Sequence, residues 1–128
     1  MDSRILIVDD QQSNVRLLEH TLRRGGFASI TSTTDPRAVA ALHRDHRYDL
    51  ILLDLVMPEM DGFQVMEGLA EIEESDELPV LVMSADPRHE VRAKQAGARD
   101  FICKPFVLSE VVTRVSSLLD KRTMNDER

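Results

Sequence analysis

Asp49-Leu50-Ile51-Leu52-Leu53-Asp54-Leu55-Val56-Met57-Pro58 sets an apolar run directly before an acid, and its reading decides the fold. An unbroken run of this length suits a strand covered on both faces, the situation of a strand inside a parallel sheet. Comparable runs end in Asp9 and Asp10, in Ser84 and in Lys104. If these runs are parallel strands, their carboxyl ends open onto one crevice and gather three carboxylates, a hydroxyl and an ammonium about one point. A cluster of that composition handles phosphoryl groups.

Working outward, Ile5 to Val8, Ala28 to Thr31, Leu50 to Leu53, Val80 to Met83 and Phe101 to Cys103 read as five strands. Ile30 stands among Ser29, Thr31 and Ser32, so the second strand is the most polar and belongs at a sheet edge. Helical spacing fills the gaps. Val15, Leu18 and Leu22 share a face that ends at Gly25-Gly26, where glycine can take the left-handed conformation that closes a helix. Asp35-Pro36 opens the second helix, with Asp35 capping free amides and Pro36 at the first helical position, followed by inward Val39 and Leu42. The third follows Gly62 with Val65, Met66 and Leu69. Asp86-Pro87 opens a polar fourth helix through His89, Glu90, Arg92 and Lys94 to Gly97, which is expected to be the loosest because Val91 is nearly its only apolar anchor. The last helix carries Leu108, Val111, Val112, Val115, Leu118 and Leu119 as a wide buried stripe. Lys121 to Arg128 is polar and unpatterned, which predicts a fraying end or the start of a linker. Strict alternation with right-handed crossovers predicts an open parallel α/β sheet of five βα units, helices on both faces. A closed eight-stranded barrel needs roughly twice this length.

Composition sets the bounds. A chain of 128 residues, 42% apolar and 30% charged, suits one globular domain, here residues 1–121 with a polar tail at 122–128. The formal charge of -7, with no block of Lys or Arg longer than a pair, argues against nucleic acid or anionic membrane as a partner and favours a basic protein surface. Cys103 is the only cysteine, so no internal disulfide forms. Met1-Asp2-Ser3-Arg4 leads into a strand-like run rather than a signal peptide, and no apolar run nears the roughly 18 residues of a membrane span. Together these predict a cytoplasmic protein.

The chemistry rests on residue types at strand ends. Taken alone, Asp9 and Asp10 fit helix-opening acids as well as ligands, since carboxylates near a helix amino end are favoured by the macrodipole. With Asp54 as a third acid, each pair at about 4 Å repels by roughly 4 kcal/mol at an effective dielectric near 20, so an opposing charge is required. Mg²⁺ is the natural answer, because it takes carboxylate, water and phosphate oxygens. No Cys/His spacing supports zinc. Lys104 alone reads as a solvated lysine; beside three acids its ammonium can bind a carboxylate and the oxygens of an incoming phosphoryl group. Ser84 fits a turn residue or a donor to a phosphoryl oxygen.

These residues resemble the receiver domain of bacterial two-component response regulators. The likeness covers nearly the whole chain and rests on Ile5-Leu6-Ile7-Val8-Asp9-Asp10, Leu53-Asp54-Leu55-Val56-Met57-Pro58-Glu59-Met60-Asp61-Gly62, Met83-Ser84-Ala85 and Lys104-Pro105-Phe106, in family order and spacing. The resemblance implies a flavodoxin-like fold with strand order 2-1-3-4-5. It further implies Asp54 as phosphoacceptor, Asp9, Asp10, Asp54 and the Val56 carbonyl as Mg²⁺ ligands, Lys104 as phosphoryl contact, Ser84 and Phe101 as the switch pair, and a cis Lys104–Pro105 bond. Val56 and Asp86 resemble the positions that tune phosphate lifetime. Valine cannot orient water, and Asp86 fits either that role or capping ahead of Pro87. Phe101 stands where tyrosine is common, so its rotation forms no hydroxyl hydrogen bond and the switch is expected to be weaker. Val107 replaces a polar cap before the last helix. The implied partners are a histidine kinase or histidine phosphotransfer protein, a downstream protein or output domain, and a second copy on phosphorylation.

Two other function classes were weighed. An aspartyl-nucleophile phosphatase of the haloacid-dehalogenase kind shows Asp-x-Asp, whereas Asp54-Leu55-Val56 lacks the second acid and the chain lacks room for a substrate cap. A phosphorylation-independent interaction module would not need Asp9, Asp10, Asp54, Ser84 and Lys104 intact. The chain is therefore expected to catalyse only its own phosphorylation and dephosphorylation. His43, Arg44, His46 and Arg47 read as a solvated surface, His20 and His89 as isolated, Met57 and Met60 as packing, and Cys103 as a buried strand residue with an inert thiol.

Overall fold

The structure, a computed structural model, describes residues 3–57, 60–72 and 78–126, with side chains through residue 120. Pro58 and Glu59 of the quoted motif, Met1 and Asp2 at the chain start and the last two residues of the tail lie outside the described residues. Five strands form one sheet: β1 (Arg4–Val8), β2 (Ser29–Thr33), β3 (Leu50–Asp54), β4 (Val80–Ser84) and β5 (Asp100–Cys103). Every pairing is parallel and the order is β2-β1-β3-β4-β5, the flavodoxin-like order expected. Between them lie α1 (Gln12–Arg24), a 3₁₀ turn (Pro36–Ala38) running into α2 (Val39–His46), α3 (Gly62–Ile72) and α4 (His89–Gln95), and α5 (Leu108–Asp126) closes the chain.

The unbroken apolar strands divide their side chains by parity, because successive residues of a strand point to opposite faces. Leu6, Val8, Ile51, Leu53, Val82 and Phe101 pack into one layer with Val39 of α2, Val65, Met66 and Leu69 of α3, and Ala93 of α4. Ile5, Ile7, Leu50, Leu52, Leu81, Met83 and Ile102 pack into the other with Val15, Leu18 and Leu22 of α1 and Val111, Val115, Leu118 and Leu119 of α5. The helices are unevenly anchored. Each fully buried aliphatic side chain contributes about 1.5–3 kcal/mol, and α5 buries four. The described side chains of α4 include one buried residue, Ala93, so it is the least firmly held helix, as its polarity predicts.

Local devices act largely as expected. Asp35 Oδ1 accepts from Arg37 N–H at 3.0 Å, with Pro36 at the first position of the 3₁₀ turn. Gly26, at φ 101°, ends α1 in a conformation that L side chains rarely adopt. The Lys104–Pro105 bond is cis. Met57 is buried and Met60 packs against the core, the packing roles expected.

Four expectations are corrected. β2 is shifted and extended to Thr33 because all five of its residues pair with β1, and that pairing overrides the polarity of Ser32 and Thr33. The polar end does not begin unpatterned at Lys121: α5 continues to Asp126, since Lys, Arg and Met favour helix and neither Gly nor Pro stops it. His43 is not solvated but 1% exposed, its Nδ1 accepting from Tyr48 N–H at 3.1 Å. It lies four residues after inward Val39, one turn along the same helix face. Cys103 is exposed rather than buried, because it ends β5, the second edge of the sheet.

Gly62 marks where α3 meets the end of β3. Its N–H donates to the Leu55 carbonyl at 2.9 Å, and a Cβ there would stand 2.8 Å from Leu55 Cα and 3.0 Å from the Asp54 carbonyl oxygen. Among the described residues, Gly68 in the same helix has only Ala40 Cβ near, at 3.9 Å. Gly62→Ala is expected to lose about 1–3 kcal/mol of stability by overpacking against backbone. Gly68→Ala is expected to gain about 0.5–1 kcal/mol from helix propensity. Urea unfolding of the pair checks the contact, and equal effects would refute it.

Candidate functional site

The carboxyl ends of β1, β3, β4 and β5 bring the expected residues together. Asp54 ends β3 in register with Met83, and Ser84 ends β4. Asp9 follows β1 and donates its N–H to the Thr33 carbonyl at 3.3 Å. Lys104 follows β5, and its N–H donates to the Ser84 carbonyl at 2.8 Å, carrying the β4–β5 pairing one step further. Each side chain is thus placed by backbone pairing at its own strand end.

Asp9 is 1% exposed and Asp54 is 5% exposed, while Asp10 is half-buried. Carboxylate oxygens of all three lie within 4.8 Å of one another. Lys104 Nζ donates to Asp54 Oδ1 at 3.3 Å and stands 3.8 Å from Asp9 Oδ2. Asp9 Oδ1 accepts from Gln11 N–H at 2.9 Å, whereas Asp9 Oδ2 is buried without a hydrogen-bond partner, the Lys104 contact being too long to count as one. One ammonium therefore faces two buried acids and leaves a buried oxygen unsatisfied. An oxygen-only donor set with such an orphan fits a hard divalent cation, and Mg²⁺ is a suitable one.

Burial raises the Asp54 carboxyl above the ordinary carboxylate range; Lys104 opposes the rise and Asp9 adds to it. Val56 is exposed, its N–H 3.5 Å from Asp54 Oδ1. Phe101 is buried against the α3 and α4 layer, so its ring already sits inward. Asp86 has the geometry of a cap: its Oδ1 accepts from Arg88 N–H at 2.9 Å. Hydrogen bonding to the Arg88 side chain holds its carboxyl down at about 2.

One residue escaped sequence reasoning. His89 is not isolated: its Nδ1 lies 2.8 Å from Ser84 Oγ, and its Nε2 lies 3.8 Å from Asp86 Oδ2. The signal available was the turn at Asp86-Pro87, which folds a residue five positions on back toward Ser84.

The raised Asp54 carboxyl has a definite consequence for stability. Between the unfolded and folded ionisation ranges the folded chain holds a proton that the unfolded chain has lost, so stability falls as pH rises through that window. In metal-free buffer, Asp54→Asn is expected to be more stable than the wild type at neutral pH. The gain should shrink as pH falls into and below the ordinary carboxylate range, where both states keep the proton. Urea unfolding at a series of pH values checks this, and a pH-independent difference would refute it.

The comparisons with known proteins agree with this arrangement. The family model described as response regulator receiver domain matches residues 5–116. The chain is 39% identical over 123 residues to the transcriptional regulatory protein PrrA of Mycobacterium bovis, covering 93% of this chain and 51% of that one. It is 39% identical over 129 residues to the response regulator PleD of Caulobacter vibrioides, covering 99% and 28%. The chain thus spans about half or less of the length of these curated relatives. Among solved structures it is similar to the chemotaxis protein CheY4 of Vibrio cholerae, with a TM-score of 0.84, 25% identity and coverage of 92% and 99%. No described helix is long and apolar enough to cross a membrane. With the family model covering most of its length and the three acids and the ammonium gathered at the carboxyl end of the sheet, the chain belongs to the response regulator receiver domain family.

Proposed function

We propose that the chain is a phosphorylation-driven switch of a two-component phosphorelay, with Asp54 as the acceptor. The observation that supports this best is the Lys104 ammonium 3.3 Å from Asp54, with Asp9 and Asp10 oxygens within 4.8 Å of the same carboxylate. The donor is a phosphohistidine of a histidine kinase or a histidine phosphotransfer protein. Asp54 attacks phosphorus in line, a bond forms from its carboxylate oxygen to phosphorus, and the phosphorus–nitrogen bond to the donor imidazole breaks. Asp54 must be ionised to attack, and Lys104 opposes the effect of burial on that ionisation. Lys104 also stabilises charge on the transferring group, and the Ser84 hydroxyl donates to a phosphoryl oxygen once it is bound. Asp9, Asp10, Asp54 and the Val56 carbonyl would hold Mg²⁺, which would supply further charge neutralisation there. The chain acts on itself alone, forming and losing its own aspartyl phosphate.

The added phosphoryl group brings roughly two negative charges, which draw the Ser84 hydroxyl and Lys104 onto its oxygens, with Phe101 already packed inward behind them. The change is read on the side of α4 and β5 by a downstream protein or output domain, or by a second copy of the chain, in the cytoplasm. Val56 and Asp86 stand at the positions that resemble those tuning phosphate lifetime, but valine cannot orient water and the Asp86 carboxylate is held by Arg88.

Acetyl phosphate with Mg²⁺ is expected to add one phosphoryl group to the wild-type chain and none to Asp54→Asn, read by intact mass. Equal uptake by both would place the acceptor elsewhere. Mg²⁺ is also expected to raise the melting temperature of the wild type by linkage to the native state, and Asp10→Ala should lose most of that rise. An unchanged rise in this variant would move the cation to another site.

A further inference from the structure

The Ser84 hydroxyl is already engaged. Its oxygen accepts from Asp86 N–H at 3.1 Å and lies 2.8 Å from His89 Nδ1. The geometry suits the tautomer with its proton on Nε2, the side that faces Asp86 Oδ2 at 3.8 Å, and in that tautomer Nδ1 accepts the one proton that the hydroxyl has. The ring is fixed from a second side: it meets Phe63 edge-on, with centroids 6.0 Å apart and planes at 88°, and the Arg92 guanidinium caps the Phe63 ring at 3.8 Å. His89 is the first residue of α4 and Phe63 the second of α3, so the contact joins the Ser84 loop to two helices.

We propose that His89 is a positioning residue that latches the Ser84 hydroxyl in the resting protein and must yield it when the acceptor is phosphorylated. This rests on the reading above that Ser84 donates to the phosphoryl group. A serine hydroxyl has a single proton, so it cannot donate to His89 Nδ1 and to a phosphoryl oxygen at once. Moving that proton to the phosphoryl group deprives His89 of its partner and frees the amino end of α4, the helix whose described side chains bury only Ala93. The latch therefore opposes activation and converts a hydroxyl movement at β4 into a loosening at the α3–α4 contact.

Five proteins test this with acetyl phosphate and Mg²⁺: wild type, His89→Ala, His89→Asn, Ser84→Ala, and His89→Ala combined with Ser84→Ala. Loss of one resting-state hydrogen bond predicts that His89→Ala is phosphorylated about two- to tenfold faster than wild type. His89→Asn, whose side-chain oxygen can stand where Nδ1 stands, should return toward the wild-type rate. In the Ser84→Ala background the histidine substitution should change nothing, which a merely structural role for His89 would not produce. Imidazole nitrogen resonances of His89 should show a bare Nδ1 in the resting protein and a changed hydrogen bond with beryllofluoride bound. An unchanged or slower His89→Ala rate, or an acceleration that persists without the Ser84 hydroxyl, overturns the latch alone. A wild-type protein that takes up no phosphoryl group overturns the parent reading and the latch together.

Discussion

The ammonium of Lys104, set between Asp54 and Asp9, is the interaction on which the rest of the site depends. Three carboxylates at neighbouring strand ends repel one another, by roughly 4 kcal/mol for a pair at about 4 Å and an effective dielectric near 20. One cation offsets this only in part. Asp9 Oδ2 remains buried without a hydrogen bond, and Asp54 remains harder to ionise than an ordinary carboxylate. That residual imbalance leaves the site able to accommodate a divalent cation and an anionic group within reach of Lys104. A perfectly compensated cluster would be inert.

The sheet is what allows so unfavourable a cluster to persist. β3 is buried along its whole length, with Leu50 and Leu52 serving one helical layer and Ile51 and Leu53 the other. Asp54 is therefore attached to a strand buried along its whole length and paired on both sides, and Gly62 lets α3 start in direct contact with Leu55 just beyond it. On the opposite side of the balance, α4 is short and lightly packed, while α5 is held by four buried aliphatic side chains. A firmly held Asp54 beside a loosely held helix suits a signalling switch, because a small charge event at the strand ends can shift the weaker element without disturbing the stronger one.

How far the sequence was legible follows from what each feature depends on. Strand count, helix count and the parallel α/β class were readable because they rest on local periodicity and on topological rules that hold for any chain of alternating βα units, whereas the strand order came from the family resemblance. Asp9, Asp54, Ser84 and Lys104 stood out because each directly follows, or closes, an apolar run, and Asp10 because it adjoins Asp9. His43 and Cys103 were misread because their surroundings come from elsewhere in the chain: Tyr48 beside the one, a sheet edge at the other. The polar residues after Leu119 were misread for a different reason, since a helix continues on propensity when no stop signal meets it.

What the sequence by itself determined was which residues stand at strand ends, because burial of an apolar strand on both faces leaves polar groups only where the strand stops. What only the tertiary structure decided was which of those groups meet and at what distance. Lys104 reaches Asp54 across fifty positions of chain because β4 and β5 pair in register. His89 meets Ser84 because a turn and one helical residue fold back over β4. Distances of this kind depend on packing between elements, and no local pattern in the chain encodes them.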